Sequence, residues 1–551
     1  MKRTIKKALS ALLVIVMLMG LAMPTFAATV NPEESKSQIP VIRILGDGEP
    51  MYDADGKKLF HIRTSFSDSA EEEDDEESDL LGSVANILLP FLIDGLLNDN
   101  WDAYYENLEK EIGELTGDAK LDCNGDPVPG TGISKERAEF LEYARTHDKK
   151  GKKGYYGLYD YHFWYDWRLD PIENAKSLRE YIVQVKEITK SEKVAINASC
   201  LGTIVTTTYV KLYGVEDIQG IGYTGSLASG AEFFSEAISG KFDINSAATN
   251  RILMDSAYLN LFNLDSFLST SLELVLKSGL VDLVEKEIRD TLYDKVAKGV
   301  TSALALSTLF TYPSYWAAVS ADDYEDALLY VFGEEGSAKR QQYAGLIAKI
   351  ENYHNTVRVN LPSIVKSIGE GGANFAAIAK YGFQILPICE SYDAVADQFV
   401  SVNHASFGAT TSTIYDTLSA DYIAAQTSKG LGKYISPDKQ IDASTCLYPD
   451  CTWFVKNSSH SEYTAYEKKL LYDVSTADTQ LTVEDFPWSQ FMVYDYDTDT
   501  MEKMTTENCR TEKWEADKEA EEGKDSPKRW FSWLTTFFNW IKELFQKIFK
   551  K

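Results

Sequence analysis

The chain has 551 residues, 44% of them apolar and 25% charged, with a formal net charge of −29. Such a length and apolar content suit one large enzyme core with insertions or several average domains, and exclude a wholly disordered chain. So acidic a chain repels nucleic acid, whose recognition needs clustered Lys and Arg.

The first 27 residues, MKRTIKKALSALLVIVMLMGLAMPTFA, have a basic start, an apolar stretch and small residues near the end. This pattern predicts a secretory signal peptide cut after Ala27, and hence a secreted or extracellular protein, associated or not with the cell envelope. The cut removes four cations, Lys2, Arg3, Lys6 and Lys7, and takes the formal charge from −29 to −33. QIPVIRILGDGEP, from Gln38 to Pro50, predicts a β-branched strand ending in Gly46-Asp47-Gly48. It is not a dinucleotide fingerprint, because GxGxxG does not follow. An insertion at about 65–132 carries the acidic run Ser67 to Asp79, whose composition is that of a solvated linker.

YYGLYDYHFWYDWRLDP, from Tyr155 to Pro171, predicts an aromatic strand. Asp170 and Pro171 then open a helix, as a capping Asp and a first-turn Pro should. Its apolar stripe is Ala175, Leu178, Tyr181, Ile182, Val185 and Ile188. Lys193 to Ala198 predicts the next strand, Asn197 to Thr203 a sharp turn, and Ile204 to Leu212 another helix. A further strand is expected near Gly220-Ile221-Gly222. Strands alternating with helices imply the α/β class, a mainly parallel sheet covered on both faces.

The alternation stops after 230. Residues 231–372 are helical in pattern, with long stripes such as Leu272 to Val296, and are expected to form an inserted helical cap. Sheet signals return in YGFQILPI (Tyr381 to Ile388) and TWFVKN (Thr452 to Asn457), so the core is expected over 28–230 and 373–505. Residues 506–528 read as a charged linker. In 529–551, Trp530, Trp533, Leu534, Phe537, Phe538 and Ile541 share one helical face, while Lys542 and Glu543 interrupt any bilayer span. A basic, aromatic amphipathic helix of this kind is expected on a membrane or cell-envelope surface.

Six cysteines in so long a chain are no disulfide framework, although Cys446 and Cys451 are close enough in sequence to pair. No Cys/His spacing points to zinc. Asp495, Asp497 and Asp499 start like a calcium loop but lack its later Gly and Glu. Neither a metal nor a cofactor is expected.

The turn NASCLGT raises the question of a nucleophile. A strand–turn–helix elbow is so tight that the positions two before and two after the nucleophile must be small. Ser199 would have Asn197 and Leu201 there; Cys200 has Ala198 and Gly202. Cys200 is therefore the candidate. A thiolate is an intrinsically strong nucleophile, and a helix N-terminus beside a histidine favours that form.

Tyr165-Asp166-Trp167-Arg168-Leu169-Asp170-Pro171 ends 29 residues before Cys200. Together with IPVIRILGDG and GIGYTGSLASG (Gly220 to Gly230), it makes the chain resemble the α/β-hydrolase superfamily, and within it the lecithin:cholesterol acyltransferase-like lipases. The resemblance covers about 38–230 and 375–465. The chain departs from the family in carrying Cys for the nucleophilic Ser, Ala198 for the first elbow glycine, and no Pro before Gly46. What the resemblance implies is an α/β-hydrolase fold and a triad in the chain order nucleophile, acid, histidine.

Of the six histidines, His61, His147 and His162 precede Cys200 and His354 falls in the expected cap. His404 follows the candidate acid too closely to leave room for a helix and a strand. His460 directly follows TWFVKN and is the expected base. Asp397, in Ala396-Asp397-Gln398-Phe399-Val400, resembles the family's acid in its D-x-x-V loop; Asp393 is the main rival, with Asp438 and Asp442 behind it. The oxyanion donors would be the backbone N–H of Leu201 and, by resemblance, that of Gly48. Arg168 is expected to be an ion-paired structural residue. The functional expectation is a secreted hydrolase or acyltransferase acting on a small-molecule or lipid ester through a thioester on Cys200. The alternative is a catalytically silent binding protein at the cell envelope on the same fold.

Overall fold

Apolar runs buried on both faces make the central strands. The computed structural model describes residues 39–46, 51–59, 98–134, 160–241, 309–385, 389–414, 416–460, 463–495 and 500–509, with a few isolated positions besides. The predicted signal peptide, the acidic run, nearly all of Leu272 to Val296, the charged linker and the C-terminal amphipathic stretch lie outside the described residues.

In chain order the strands are β1 (Val41–Ile44), β2 (Asp160–His162), β3 (Val194–Cys200), β4 (Ile218–Ser226), β5 (Asn374–Tyr381), β6 (Thr410–Thr411), β7 (Ile441–Asp442), β8 (Thr452–Lys456), β9 (Phe491–Asp495) and β10 (Thr500–Lys503). Eight of them form one sheet in the order β2-β1-β3-β4-β5-β8-β9-β10. Every neighbouring pair is parallel except β9 with β10. β6 and β7 make a separate two-stranded ribbon. The unbroken burial of β1 and β5 is what a parallel sheet covered on both sides requires.

The helices used below are α1 (Trp101–Thr116), α2 (Pro171–Thr189), α3 (Leu201–Tyr213), α4 (Glu232–Ser239), α5 (Pro313–Ala317), α6 (Tyr324–Phe332), α7 (Ala344–Thr356), α8 (Leu361–Glu370), α9 (Val402–Ala405), α10 (Ala420–Ser428) and α11 (Ala465–Thr476). Alternate residues of β5 show that both faces are covered. Phe375, Ala377 and Ala379 join the core formed with α2 and α3, whereas Ala376 and Ile378 join Leu470, Leu471 and Val474 of α11. The class is therefore α/β, with helices on both sides of a mostly parallel sheet. α11 crosses β4 so closely that a Cβ on Gly220 would come within 2.4 Å of the Ser475 carbonyl oxygen.

α2 starts where local chemistry puts it. The Asp170 carboxylate accepts the Ile172 N–H at 2.9 Å, and Pro171 occupies the first turn. Its stripe is buried through Val185, but Ile188 is 40% exposed and falls outside the core.

Two predicted strands are corrected. Among the described residues of the aromatic run, the strand is Asp160–His162 and ends there. Beyond it the chain turns, because Arg168 grips Asp166 two residues back with a two-pronged ion pair, Nε to Oδ1 at 2.9 Å and Nη2 to Oδ2 at 2.6 Å. Its third nitrogen, Nη1, reaches the Ala119 carbonyl at 2.9 Å, so Arg168 is the ion-paired structural residue expected of it. Removing a buried partner strands the remaining charge. Arg168→Ala is expected to lower the unfolding free energy by about 3 kcal/mol, read by chemical denaturation. The second correction concerns YGFQILPI. The strand is Asn374–Tyr381, and it stops at Gly382, whose φ of +111° turns the chain.

Between β4 and β5 the described residues include α4 to α8, of which α8 packs on α3 and β5. No disulfide joins Cys446 to Cys451. Each of those two thiols is buried in its own packing, Cys446 beside Ser406, and burial pushes both up to about 12.

Candidate active site

Parallel strands deliver their C-terminal ends to one edge of a sheet, and the loops after β3, β5 and β8 meet there. Cys200 closes β3 and opens α3 with φ 53° and ψ −132°. An L-residue rarely adopts such a backbone, and it persists only where the surroundings over-determine it.

Three contacts do so. A Cβ on Gly202 would stand 2.2 Å from the Ile44 carbonyl oxygen and 2.9 Å from that of Leu45. The Thr203 hydroxyl donates to the Cys200 carbonyl at 2.7 Å and accepts the Leu227 N–H at 3.1 Å. The Tyr165 hydroxyl donates to the Leu45 carbonyl at 2.7 Å, so the YDWR stretch fastens the chain leaving β1 against the elbow. Ser199, by contrast, is a strand residue in register with Thr224.

Gly46 leaves the thiol room that any side chain would take. A Cβ there would lie 2.8 Å from Cys200 Sγ and 3.4 Å from the Leu201 nitrogen. Leu201 is the first residue of α3, so its N–H belongs to the first-turn groups that find no carbonyl within the helix. Gly48, the other expected oxyanion donor, lies outside the described residues.

His460 follows β8 and Asp397 follows β5. His460 Nδ1 is 2.9 Å from Asp397 Oδ2, and the His460 backbone N–H donates to the Asp397 carbonyl at 2.8 Å. The other carboxylate oxygen of Asp397 accepts the N–H groups of Val400 at 3.0 Å and Phe399 at 3.2 Å. Cys200 is the other neighbour that favours the charged form of the same imidazole. With Nδ1 taken by Asp397, Nε2 is the nitrogen left for the thiol.

The rival residues are engaged elsewhere. His404 faces Glu232 at 2.8 Å, His354 stacks on Tyr324 at 3.6 Å, and His162 stacks on Trp164 at 5.2 Å. Asp438 pairs with Lys456 at 2.9 Å, and Asp442 accepts from Tyr422 and Gln426 of α10. The Asp393 backbone is fixed by its carbonyl, which accepts the Ile414 N–H at 2.7 Å, while the Asp397 carboxylate is the one that meets His460.

Electrostatics ties the three groups together. Burial drives the His460 imidazole toward its neutral form, but the Asp397 carboxylate and Cys200 outweigh it and raise its pKa above the ordinary imidazole value. Burial likewise pushes Asp397 up, yet His460 and Lys380 hold it below the usual carboxylate range. A raised folded-state pKa contributes stability that is present below about 6.5 and lost as pH rises through the raised value. The imidazole proton signals of His460 should therefore still report the charged ring at pH 7.5. Asp397→Asn should move its titration down further than Cys200→Ala does, because Asp397 is the larger of the two stabilising charges. Equal titration in wild type and Asp397→Asn would contradict this reading.

Sequence reasoning missed three neighbours. Lys380, 1% exposed in β5, donates from Nζ to the His460 carbonyl at 2.8 Å. Its signal is a lone cation in the apolar run NFAAIAKY. Gly225 has φ +51°, and a Cβ there would sit 3.1 Å from His460 Cε1 and 3.6 Å from Asp397 Oδ2. The Phe399 ring packs on His460 at 5.3 Å between centroids.

No family model and no curated protein matches the chain. Among solved structures, the crystal structure of the Tle4-Tli4 complex is similar at a TM-score of 0.25 and 12% identity, over 62% of this chain and 75% of that one. So loose a likeness carries no functional weight.

Proposed function

We propose that the chain is a secreted α/β-hydrolase that cleaves or transfers ester-linked acyl groups, lipid esters included, through Cys200, His460 and Asp397. The observation that carries this reading is one largely enclosed imidazole with Asp397 on its Nδ1 and Cys200 as a neighbour, the thiol sitting on a positive-φ elbow.

The steps follow from these groups. His460 Nε2 already holds the proton given up by Cys200, in keeping with its raised pKa, and the sulfur attacks the acyl carbon. The tetrahedral oxyanion falls beside the Leu201 N–H, with Gly48 as the second donor by resemblance; one such donor is worth about 3 kcal/mol in the transition state. His460 then protonates the departing alkoxide, which leaves a thioester on Cys200. Water, or an acceptor alcohol, loses a proton to His460 and attacks that thioester, and Cys200 leaves as thiolate. Asp397 keeps the ring in the required tautomer and stabilises the imidazolium. Secretion rests on the N-terminal pattern, and contact with a membrane or envelope surface on the C-terminal amphipathic pattern.

The test is hydrolysis of aryl esters of increasing acyl length by the full chain, with acid-quenched protein mapped by mass. Turnover with an acyl adduct on the Cys200 peptide is expected, and the best acyl length defines the substrate class. Folded protein that gives neither turnover nor adduct at any length would overturn the enzyme reading in favour of a silent binding protein.

A further inference from the structure

His404 and Glu232 are partly buried ionisable groups for which the mechanism above has no use. Glu232 and Glu236 stand one turn apart on α4, so their side chains share a face. Both are turned into the loop that carries Asp397. Glu232 Oε2 accepts the backbone N–H of Ser401 at 2.9 Å, and its Oε1 meets His404 Nδ1 at 2.8 Å. Glu236 accepts the backbone N–H of Ser391, at 3.2 and 3.4 Å from its two oxygens, and burial, aided by the charges of Glu236 and Glu232, pushes the Cys389 thiol up.

Ser391 and Ser401 bracket Asp397 in sequence, and Ser401 bridges directly to Ala396, the neighbour of Asp397. Between the two glutamates, Phe233 meets Phe399 edge-on at 5.4 Å, and Phe399 in turn packs on His460. The far end of α4 is anchored by Lys241, which pairs with Asp323 at 2.6 Å and Asp326 at 2.9 Å. Taking a carboxylate and an imidazole even partly out of water is costly unless each finds a partner, so this pair resists separation. Burial alone would push Glu232 up and His404 down; their contact reverses both shifts.

We propose that α4 is a clamp on the acid-bearing loop, in which Glu232 with His404 at one end and Glu236 at the other are positioning residues for Asp397. The proposal rests on the reading of Asp397 as the acid of the candidate triad. Displacing a catalytic group by a fraction of an ångström slows the chemical step without changing how the ester binds.

The test uses the full chain with Glu232→Ala, Glu232→Gln and His404→Gln, and two readouts. The first is kcat against KM on the aryl ester that the wild type turns over best. Glu232→Ala should lower kcat by about 10- to 100-fold with KM little changed, and Glu232→Gln, which still accepts the Ser401 N–H, should recover most of the loss. The second is alkylation of Cys389 by iodoacetamide, followed by peptide mass in a Cys200→Ala background. Cys389 is 1% exposed, and its alkylation should rise about tenfold in Glu232→Ala as the loop opens locally.

Three results would overturn the clamp: unchanged kcat with unchanged Cys389 alkylation, equal alkylation in the Ala and Gln variants, or a fall confined to KM. Equal alkylation would mean that only the lost charge near the thiol had acted. Should Glu232→Ala not fold, His404→Gln carries the same test against wild type. A wild type without ester turnover would remove the functional reading, yet Cys389 alkylation would still decide whether α4 holds the loop.

Discussion

Cys200→Ala is expected to lose ester turnover by on the order of 10³-fold or more while remaining folded. The first half follows from the site. Without the sulfur there is no atom to form the acyl intermediate, and only the binding surface and the Leu201 N–H remain to favour the transition state. The second half follows from the packing. Ala keeps the Cβ that already sits at φ 53°, so the substitution adds no backbone strain, and it removes only a half-buried sulfur. An unfolding midpoint near wild type beside vanished turnover would assign the chemistry to this atom. Cys200→Ser is expected to fall between the two, because an alcohol proton is harder for His460 to remove than a thiol proton. Full activity in Cys200→Ala would remove Cys200 from the mechanism.

Gly202→Ala is expected to cost about 3 kcal/mol of stability and most of the activity. The added Cβ would stand 2.2 Å from the Ile44 carbonyl oxygen. That atom belongs to the backbone of β1, which is hydrogen-bonded to strands on both sides, so it cannot swing away as a flexible side chain would. Relief must come from lifting α3 or the elbow, which moves Cys200 off its line to His460. Gly113→Ala in α1 is the control. Nothing lies within 4 Å of its Cβ position, and Ala gains about 1 kcal/mol over Gly in a helix interior. Denaturant midpoints that move in opposite directions for the two variants would match the structure; equal shifts would not.

The parts of this molecule that were legible in the amino-acid sequence are those decided within a few residues. Asp170 and Pro171 start α2 because a capping carboxylate and a fixed φ act on their own turn. Ala198 and Gly202 single out Cys200 over Ser199 because the elbow's crowding is local. The α/β class was legible from the alternation of strand and helix patterns, which needs no knowledge of what packs on what.

Other features depended on partners far along the chain. Alanines, an asparagine and a lysine disguised β5, and only burial between β4 and β8 makes Asn374–Tyr381 a strand. The aromatic run before α2 looked extended, but Arg168 folds it back onto Asp166 and Ala119. His404 could be set aside by its spacing from Asp397, but its pairing with Glu232, 172 positions earlier, had no local signal. The same holds for Gly225 beside the His460–Asp397 pair, and Lys380 under His460 left only a lone cation in an apolar run as its sign. By itself the sequence determined the fold class, the elbow and a short roster of candidate residues, since turn sterics, caps and hydrophobic period act at short range. The tertiary structure alone decided which side chains face one another, because the sheet order brings β3, β5 and β8 together at one edge although they lie far apart along the chain.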